Sequence, residues 1–242
     1  MSYDYLNGKK SVEEILNNTA KIDNKDVPKD ETNFTYGNGI RSWISSIFID
    51  IIGSTNLIKN NDELIVAKVL RSFTSEAISI LNLTNTVRQI GVRGDCVYGI
   101  YSTPEKKDIY ELFDIVCYLN DMVKMLNKIF KKRGYPEIKV GIGLASGHDL
   151  IIKAGKKGTG INDRIWIGDA VVDACNLANK AGRNGKKTIG VSLLSYSNFI
   201  ELLEKNNSNK NVKDWFDYNI YDHAYYCNVI MTDFDNWIEN DL

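Results

Sequence analysis

Ser46-Ile47-Phe48-Ile49-Asp50-Ile51-Ile52-Gly53-Ser54-Thr55 is the stretch on which the fold turns. Its apolar run reads as a buried strand, yet a carboxylate interrupts it at Asp50, and an unpaired buried charge is very costly. Something cationic should therefore meet Asp50. Gly53, Ser54 and Thr55 follow directly, freeing the backbone to turn and offering capping hydroxyls to the next helix, so N–H groups gather where anions bind. A carboxylate beside an anion nest suggests metal plus phosphate; the plainer alternative is an Asp that only caps a turn.

Downstream, Leu64, Val69, Leu70, Phe73, Ala77, Ile78 and Leu81 recur near helical spacing and predict a helix from about Asp62 to Leu83. Val87–Val92 and Cys96–Tyr101 read as strands joined by Arg93-Gly94-Asp95, a β-hairpin with a second carboxylate at its tip. A long helix follows over about Asp108–Lys132. Ile138–Ala145 and Leu150–Ala154 then read as a hairpin around Ser146-Gly147-His148-Asp149. Gly155–Gly160 is a loose glycine-rich loop that lacks the Gly-Lys-Ser/Thr of a phosphate loop. A helix over Asp169–Ala181, a strand at Thr188–Val191, a helix from about Leu194 to Lys205, an aromatic strand near Tyr225 and a tail helix complete the chain. Upstream, residues 1–45 are polar and read as an arm and linker, with a short helix at Ser11–Leu16, a linker around Pro28 and a turn at Gly37-Asn38-Gly39; residues 46–242 form the main domain. The pattern is α+β: a ferredoxin-like or palm βαββαβ core with additional C-terminal strands and helices.

The 242 residues are 43% apolar and 25% charged, an ordinary globular composition. With 30 basic against 31 acidic residues there is no electrostatic case for a general nucleic-acid or anionic-membrane partner. Cys96, Cys117, Cys175 and Cys227 are widely spaced in apolar sequence, as small buried thiols in a reducing compartment would be. With no basic, apolar leader and no membrane-length run, the expected location is cytoplasmic.

In a palm core the first strand neighbours the following hairpin, so Asp50 and Asp95 can approach. Two carboxylates beside a phosphate nest are most naturally reconciled by divalent metal, a two-metal site for phosphoryl chemistry. Phe48 shares the Asp50 face of the strand, and Arg93 lies two residues before Asp95, so ring and guanidinium could hold a base. The alternatives are a simple core residue for Phe48 and a solvated hairpin charge for Arg93. Asp169 reads as a helix cap rather than a third ligand, and His148 and His223 as structural or exposed.

Phe48–Thr55, Arg93-Gly94-Asp95-Cys96-Val97 and Ile167-Gly168-Asp169-Ala170-Val171 resemble, in order over residues 46–192, the motifs of the class III nucleotidyl cyclase domain. Within it the chain is most similar to the bacterial antiphage pyrimidine cyclases of the Pycsar systems, which make cyclic UMP or cyclic CMP as an alarm signal. The resemblance implies that Asp50, Asp95 and the Ile51 carbonyl bind two Mn or Mg ions. It also implies that Ile52, Gly53, Ser54 and Thr55 cradle the triphosphate, and that Phe48 and Arg93 form the base pocket. An arginine there suits a uracil carbonyl better than an amine donor, so UTP is the expected substrate, with CTP the alternative. Family members are homodimers with composite sites. The chain departs from the purine cyclases at Val172 and Asn176, where they carry Asn and Arg, and at Gly91 and Ile165, where they carry purine-selective residues. Either it reads a smaller base, or it is a silent nucleotide-binding domain. Lys180, Arg183 and Arg164 could supply the missing charge, although solvated helix-surface roles suit each.

Overall fold

The computed structural model describes residues 2–18, 21–30, 34–156 and 162–242. The helices are α1 (Tyr5–Asn17), α2 (Ser54–Asn60), α3 (Glu63–Leu81), α4 (Lys106–Lys132), α5 (Asp169–Lys180), α6 (Leu193–Asn206) and α7 (Thr232–Asn240). The strands are β1 (Lys21–Asn24), β2 (Asn38–Ile51), β3 (Val87–Arg93), β4 (Cys96–Ser102), β5 (Val140–Gly155), β6 (Asn162–Ile167), β7 (Ile189–Ser192), β8 (Asp217–Asn219) and β9 (Ala224–Cys227). They form one sheet in the order β3-β4-β2-β5-β7-β9-β8, with β1 pairing β2 and β6 pairing β5. The first four strands of that order, β3-β4-β2-β5, are antiparallel neighbours linked through α3 and α4, which is the ferredoxin-like palm arrangement expected from the sequence.

Alternation along β2 divides the molecule into two sides. Ile47, Ile49 and Ile51 point into the main core, where they meet Val69 and Phe73 of α3, Leu112 and Phe113 of α4, and Phe199 of α6. Phe48 packs on the other face with Ala145, Ala174 and Ala178, beneath α5. Helix α5 can lie this close because β5 carries glycine there: a Cβ on Gly141 would fall 2.0 Å from the Ala178 carbonyl, and one on Gly143 2.0 Å from that of Ala174. Three helices thus cover one face, and α5 covers only part of the other.

The structure corrects several sequence expectations. Strand β2 begins at Asn38, so the boundary between residues 45 and 46 falls inside the sheet, with Ile40 and Ile44 buried and β1 paired alongside. Ser42, Ser45 and Ser46 hid that continuity. The N-terminal helix starts at an Asp4 cap whose carboxylate accepts from Asn7 N at 3.0 Å, which leaves Ser11 in mid-helix. In α3, Leu64 and Ile78 face solvent, and Val66 takes a buried place instead.

Ser146–Asp149 is no turn: β5 runs straight through it, and its polar side chains are matched across the sheet. Ser146 Oγ lies 2.7 Å from Ser45 Oγ and 2.8 Å from Ser195 Oγ, and His148 packs on Trp43. The partner of β5 in a hairpin is β6. Of the glycine-rich loop, residues 157–160 lie outside the described residues, as do residue 161 after it and 31–33 of the linker.

Candidate active site

In the ladder, Asp50 stands opposite Cys96 of β4 and Gly141 of β5, so Asp95 sits one residue beyond the partner of Asp50. Gly94, at the first central position of this two-residue turn, has φ +63°, the left-handed backbone that so tight a hairpin requires there. The proximity is felt electrostatically. Burial lifts the Asp50 carboxyl above the ordinary 3.8, a hydrogen bond from Arg183 pulls it down, and the charge of Asp95 lifts it again.

The cation expected at Asp50 is Arg183, whose Nη2 lies 2.9 Å from Asp50 Oδ2. Its role is therefore not a solvated helix surface. The other two arginine and lysine candidates are also engaged. Arg164 is buried, donates to the carbonyls of Lys29 (3.3 Å) and Arg88 (3.5 Å), and lies over the Phe34 ring, while Lys180 pairs with Asp222 at 2.9 Å.

Phe48, Asp50 and Arg93 share a cleft of about 760 Å³ with Tyr98 of β4 and Val172 and Asn176 of α5. Phe48 and Tyr98, opposite one another in the ladder, stack at 5.1 Å with an interplanar angle of 13°. The Tyr98 ring also occupies the space above Gly91, where a Cβ would approach it to 2.3 Å. A side chain at position 91 would therefore require the tyrosine ring to move. Gln89 Oε1 accepts from Trp166 Nε1 at 2.5 Å, which ties β6 to β3 beside the same cleft.

Ile51, Ile52 and Gly53 border a second, smaller hollow of about 240 Å³. Gly53 takes φ +72°, and its carbonyl accepts from Asn56 N and Leu57 N as α2 begins. The N–H of Ile52 is spent on the Lys139 carbonyl at 2.7 Å, so an anion cradle in this turn starts at Gly53. The first amides of a helix have no partner within it, and here they belong to Ser54 and Thr55.

The donor set fits a hard divalent cation. Asp50 and Asp95 offer carboxylate oxygens, and the nearest soft ligand, Cys96, stays a thiol because burial and the Asp50 charge push it up to about 12. Among the described residues no third His, Cys, Asp or Glu joins them, so further ligands to an ion held there would be backbone oxygen, water or substrate. All four cysteines are free, with Cys96 and Cys175 half-buried in the cleft rather than fully enclosed.

Asp169 is not the cap of α5. That position is Gly168, and the carboxylate serving the helix is Asp149 of β5, whose Oδ2 accepts from Ala170 N at 3.2 Å. Asp149 and Tyr98 are the residues that sequence reasoning missed, and Arg183 was named as a source of charge but not as the partner of Asp50. The one signal available was the requirement that a cation meet Asp50.

No protein-family profile matches the chain. A uridylate cyclase of Treponema porcinum is 43% identical over 244 residues, covering 100% of this chain and 83% of that protein. One of Gulbenkiania mobilis is 31% identical, covering 98% and 96%. Among solved structures, the adenylyl cyclase CyaB from P. aeruginosa superposes with a TM-score of 0.59 at 22% identity over 68% of this chain and 83% of that one. The guanylyl cyclase Cya2 gives 0.57 at 16% identity over 66% and 79%. With the palm sheet and the likeness to named relatives over the whole of this chain in agreement, the chain belongs to the uridylate cyclase family and has the fold of solved adenylyl and guanylyl cyclases.

Proposed function

We propose that the chain converts UTP to 3',5'-cyclic UMP and pyrophosphate, as a homodimer with composite sites. The observation that carries this reading is the adjacency of Asp50 and Asp95 beside a cleft walled by the Phe48–Tyr98 stack. Asp50, Asp95 and the Ile51 carbonyl are the groups to hold two Mg or Mn ions, which when bound supply Lewis-acid stabilisation of charge developing at the α-phosphate.

The chain's own residues do the rest. Phe48 and Tyr98 offer ring faces to a flat base, and their stack above Gly91 restricts its size. Arg93 carries only donors, so it pairs with the carbonyl oxygens of uracil and not with the amine of cytosine. The amides of Gly53, Ser54 and Thr55 receive the phosphates, and Asp50 lies between base and phosphate sites along the strand. Held this way, the ribose 3'-oxygen gives up its proton and attacks the α-phosphorus, and the bond to the β-phosphate breaks.

Two apolar side chains at the cleft stand exposed, Ile165 at 43% and Val172 at 56%, which suits cover by a second copy. The resemblance of its motifs to those of the antiphage pyrimidine cyclases supports a role as an alarm enzyme, and the four free thiols suit the cytoplasm. Among the described residues no helix is long and apolar enough to cross a membrane.

The test is incubation of the purified chain with each of the four ribonucleoside triphosphates and Mn²⁺, with products identified by mass. Cyclic UMP as the main product is expected. Cyclic CMP in its place would overturn the UTP assignment, and cyclic AMP the pyrimidine one. The absence of any cyclic product would favour a silent nucleotide-binding domain, the reading that Val172 and Asn176 motivate.

A further inference from the structure

Arg183 reaches Asp50 because the fold delivers it there. Gly182 closes α5 with φ +67° and lies so close to β5 and β2 that a Cβ would fall 2.6 Å from the Val140 carbonyl and 2.8 Å from Ile52 Cδ1. The next residue therefore emerges beside the C-terminal end of β2. Its Nη1 donates to the carbonyls of Ala178 (2.9 Å) and Ala181 (3.4 Å), the unpaired end of α5, while Nη2 takes Asp50 Oδ2. The two side chains are 26% and 19% exposed, so the pair is shielded yet open on one side.

This arrangement puts a guanidinium on an atom that a metal must use. A triphosphate and two carboxylates together outweigh two divalent ions, so side-chain cations have to complete the charge balance. Three other cations near this end of the sheet are committed: Lys180 and Lys186 to Asp222 at 2.9 and 2.6 Å, and Lys187 to Asp217 at 2.9 Å. Asn176 brings no charge to the cleft. A phosphate oxygen sharing an ion with Asp50 would neighbour the Asp50 carboxylate, and so would come within reach of Nη2 while Nη1 keeps its carbonyls.

We propose that Arg183 rests on Asp50 while the site is empty and transfers to the triphosphate when a metal takes over Asp50. The proposal rests on the reading of this cleft as a metal–nucleotide site. Arg183 is then both a competitor of the bare metal and a ligand of the metal–nucleotide complex, and its removal changes the two affinities in opposite directions.

The full chain and its R183Q and R183K variants test this. Mn²⁺ binding without nucleotide is read by electron paramagnetic resonance, and binding of 3'-deoxy-UTP, which cannot cyclise, is read calorimetrically with Mn²⁺ saturating. Glutamine keeps a donor for the Ala178 carbonyl. R183Q should bind Mn²⁺ alone about three- to tenfold more tightly and the nucleotide about ten- to a hundredfold more weakly. Both affinities unchanged, both weakened, or tighter metal with unaltered nucleotide binding would each overturn the proposal. Should R183Q not fold, R183K carries the test: its single ammonium keeps the Asp50 pair but loses the fork, so nucleotide binding should weaken about fivefold. Equality of R183K with wild type overturns it then. No saturable Mn²⁺ binding by wild type would overturn the site reading itself, a result distinguishable from normal binding that is indifferent to Arg183.

Discussion

Replacing Asp50 by Asn should separate catalysis from folding. In the folded chain burial and the Asp95 charge outweigh Arg183, so the Asp50 carboxyl is raised above its ordinary 3.8. A carboxyl raised on folding contributes its stability below the unfolded value and loses it as pH rises through the folded one. At neutral pH and without metal, the ionised group is therefore a net cost that Asn removes. A shielded but not fully buried pair of this kind is worth about 1 kcal/mol, so the metal-free variant should lie within about 1 kcal/mol of wild type, on the stable side. For a chain this long that is a rise in Tm of no more than about 2–4 °C.

Activity should behave oppositely in the same variant. A metal ligand supplies several kcal/mol of charge stabilisation, and about 4 kcal/mol is a thousandfold in rate. Thermal melts with and without Mn²⁺, beside mass-detected cyclic UMP formation, check both halves. Wild type should gain Tm with Mn²⁺, and D50N should not. Turnover within tenfold of wild type would remove Asp50 from the metal site. A metal-free Tm more than about 8 °C below wild type would show that the reasoning about its charge is wrong.

Tyr98→Ala removes the ring stacked on Phe48 and reopens the space above Gly91, so in a mixture of UTP and ATP the preference for UTP should fall about tenfold, on the order of the 0.5–1.5 kcal/mol of one aromatic pair; an unchanged product ratio refutes the size restriction. Asp149→Ala takes the cap from Ala170 N and should cost about 1–2 kcal/mol, a Tm lower by about 2–8 °C, with an unaltered melt as the contrary result. Asp121 is 1% exposed, and burial raises its carboxyl from 3.8 to about 6, with the hydrogen bond from Met231 N pulling the other way. Its stabilising contribution is complete below pH 3.8 and is lost as pH climbs through about 6, a change on the order of 1–3 kcal/mol that Asp121→Asn should erase from the pH profile of unfolding. A profile as steep in the variant as in wild type would assign the slope to other groups.

What could be read from the sequence was whatever local pattern determines. The Ile47–Ile52 run, the Arg93–Cys96 turn and the α4 periodicity each state their own conformation within a few residues, and the palm order follows from their succession. Polar residues were misread wherever their partners lie far along the chain. Ser146 through Asp149 looked like a turn because nothing nearby satisfies them; Ser45, Trp43 and Ala170 do so from 20 to 105 residues away, roughly, and turn an apparent break into the middle of a strand.

The same limitation hid where Arg183 goes, yet the physics of one residue pointed at it. A carboxylate inside an apolar strand requires a cation, and the demand holds whether or not a metal is bound. An enzyme whose metal site must also fold without metal needs an internal cation there that can leave. The end of α5 provides it: the guanidinium is anchored by Ala178 and Ala181, so releasing Asp50 does not release Arg183 from the fold. Asp50, which breaks the pattern of its strand, thus sets the requirement that both the empty and the loaded site must meet, and Arg183 is placed to serve each in turn.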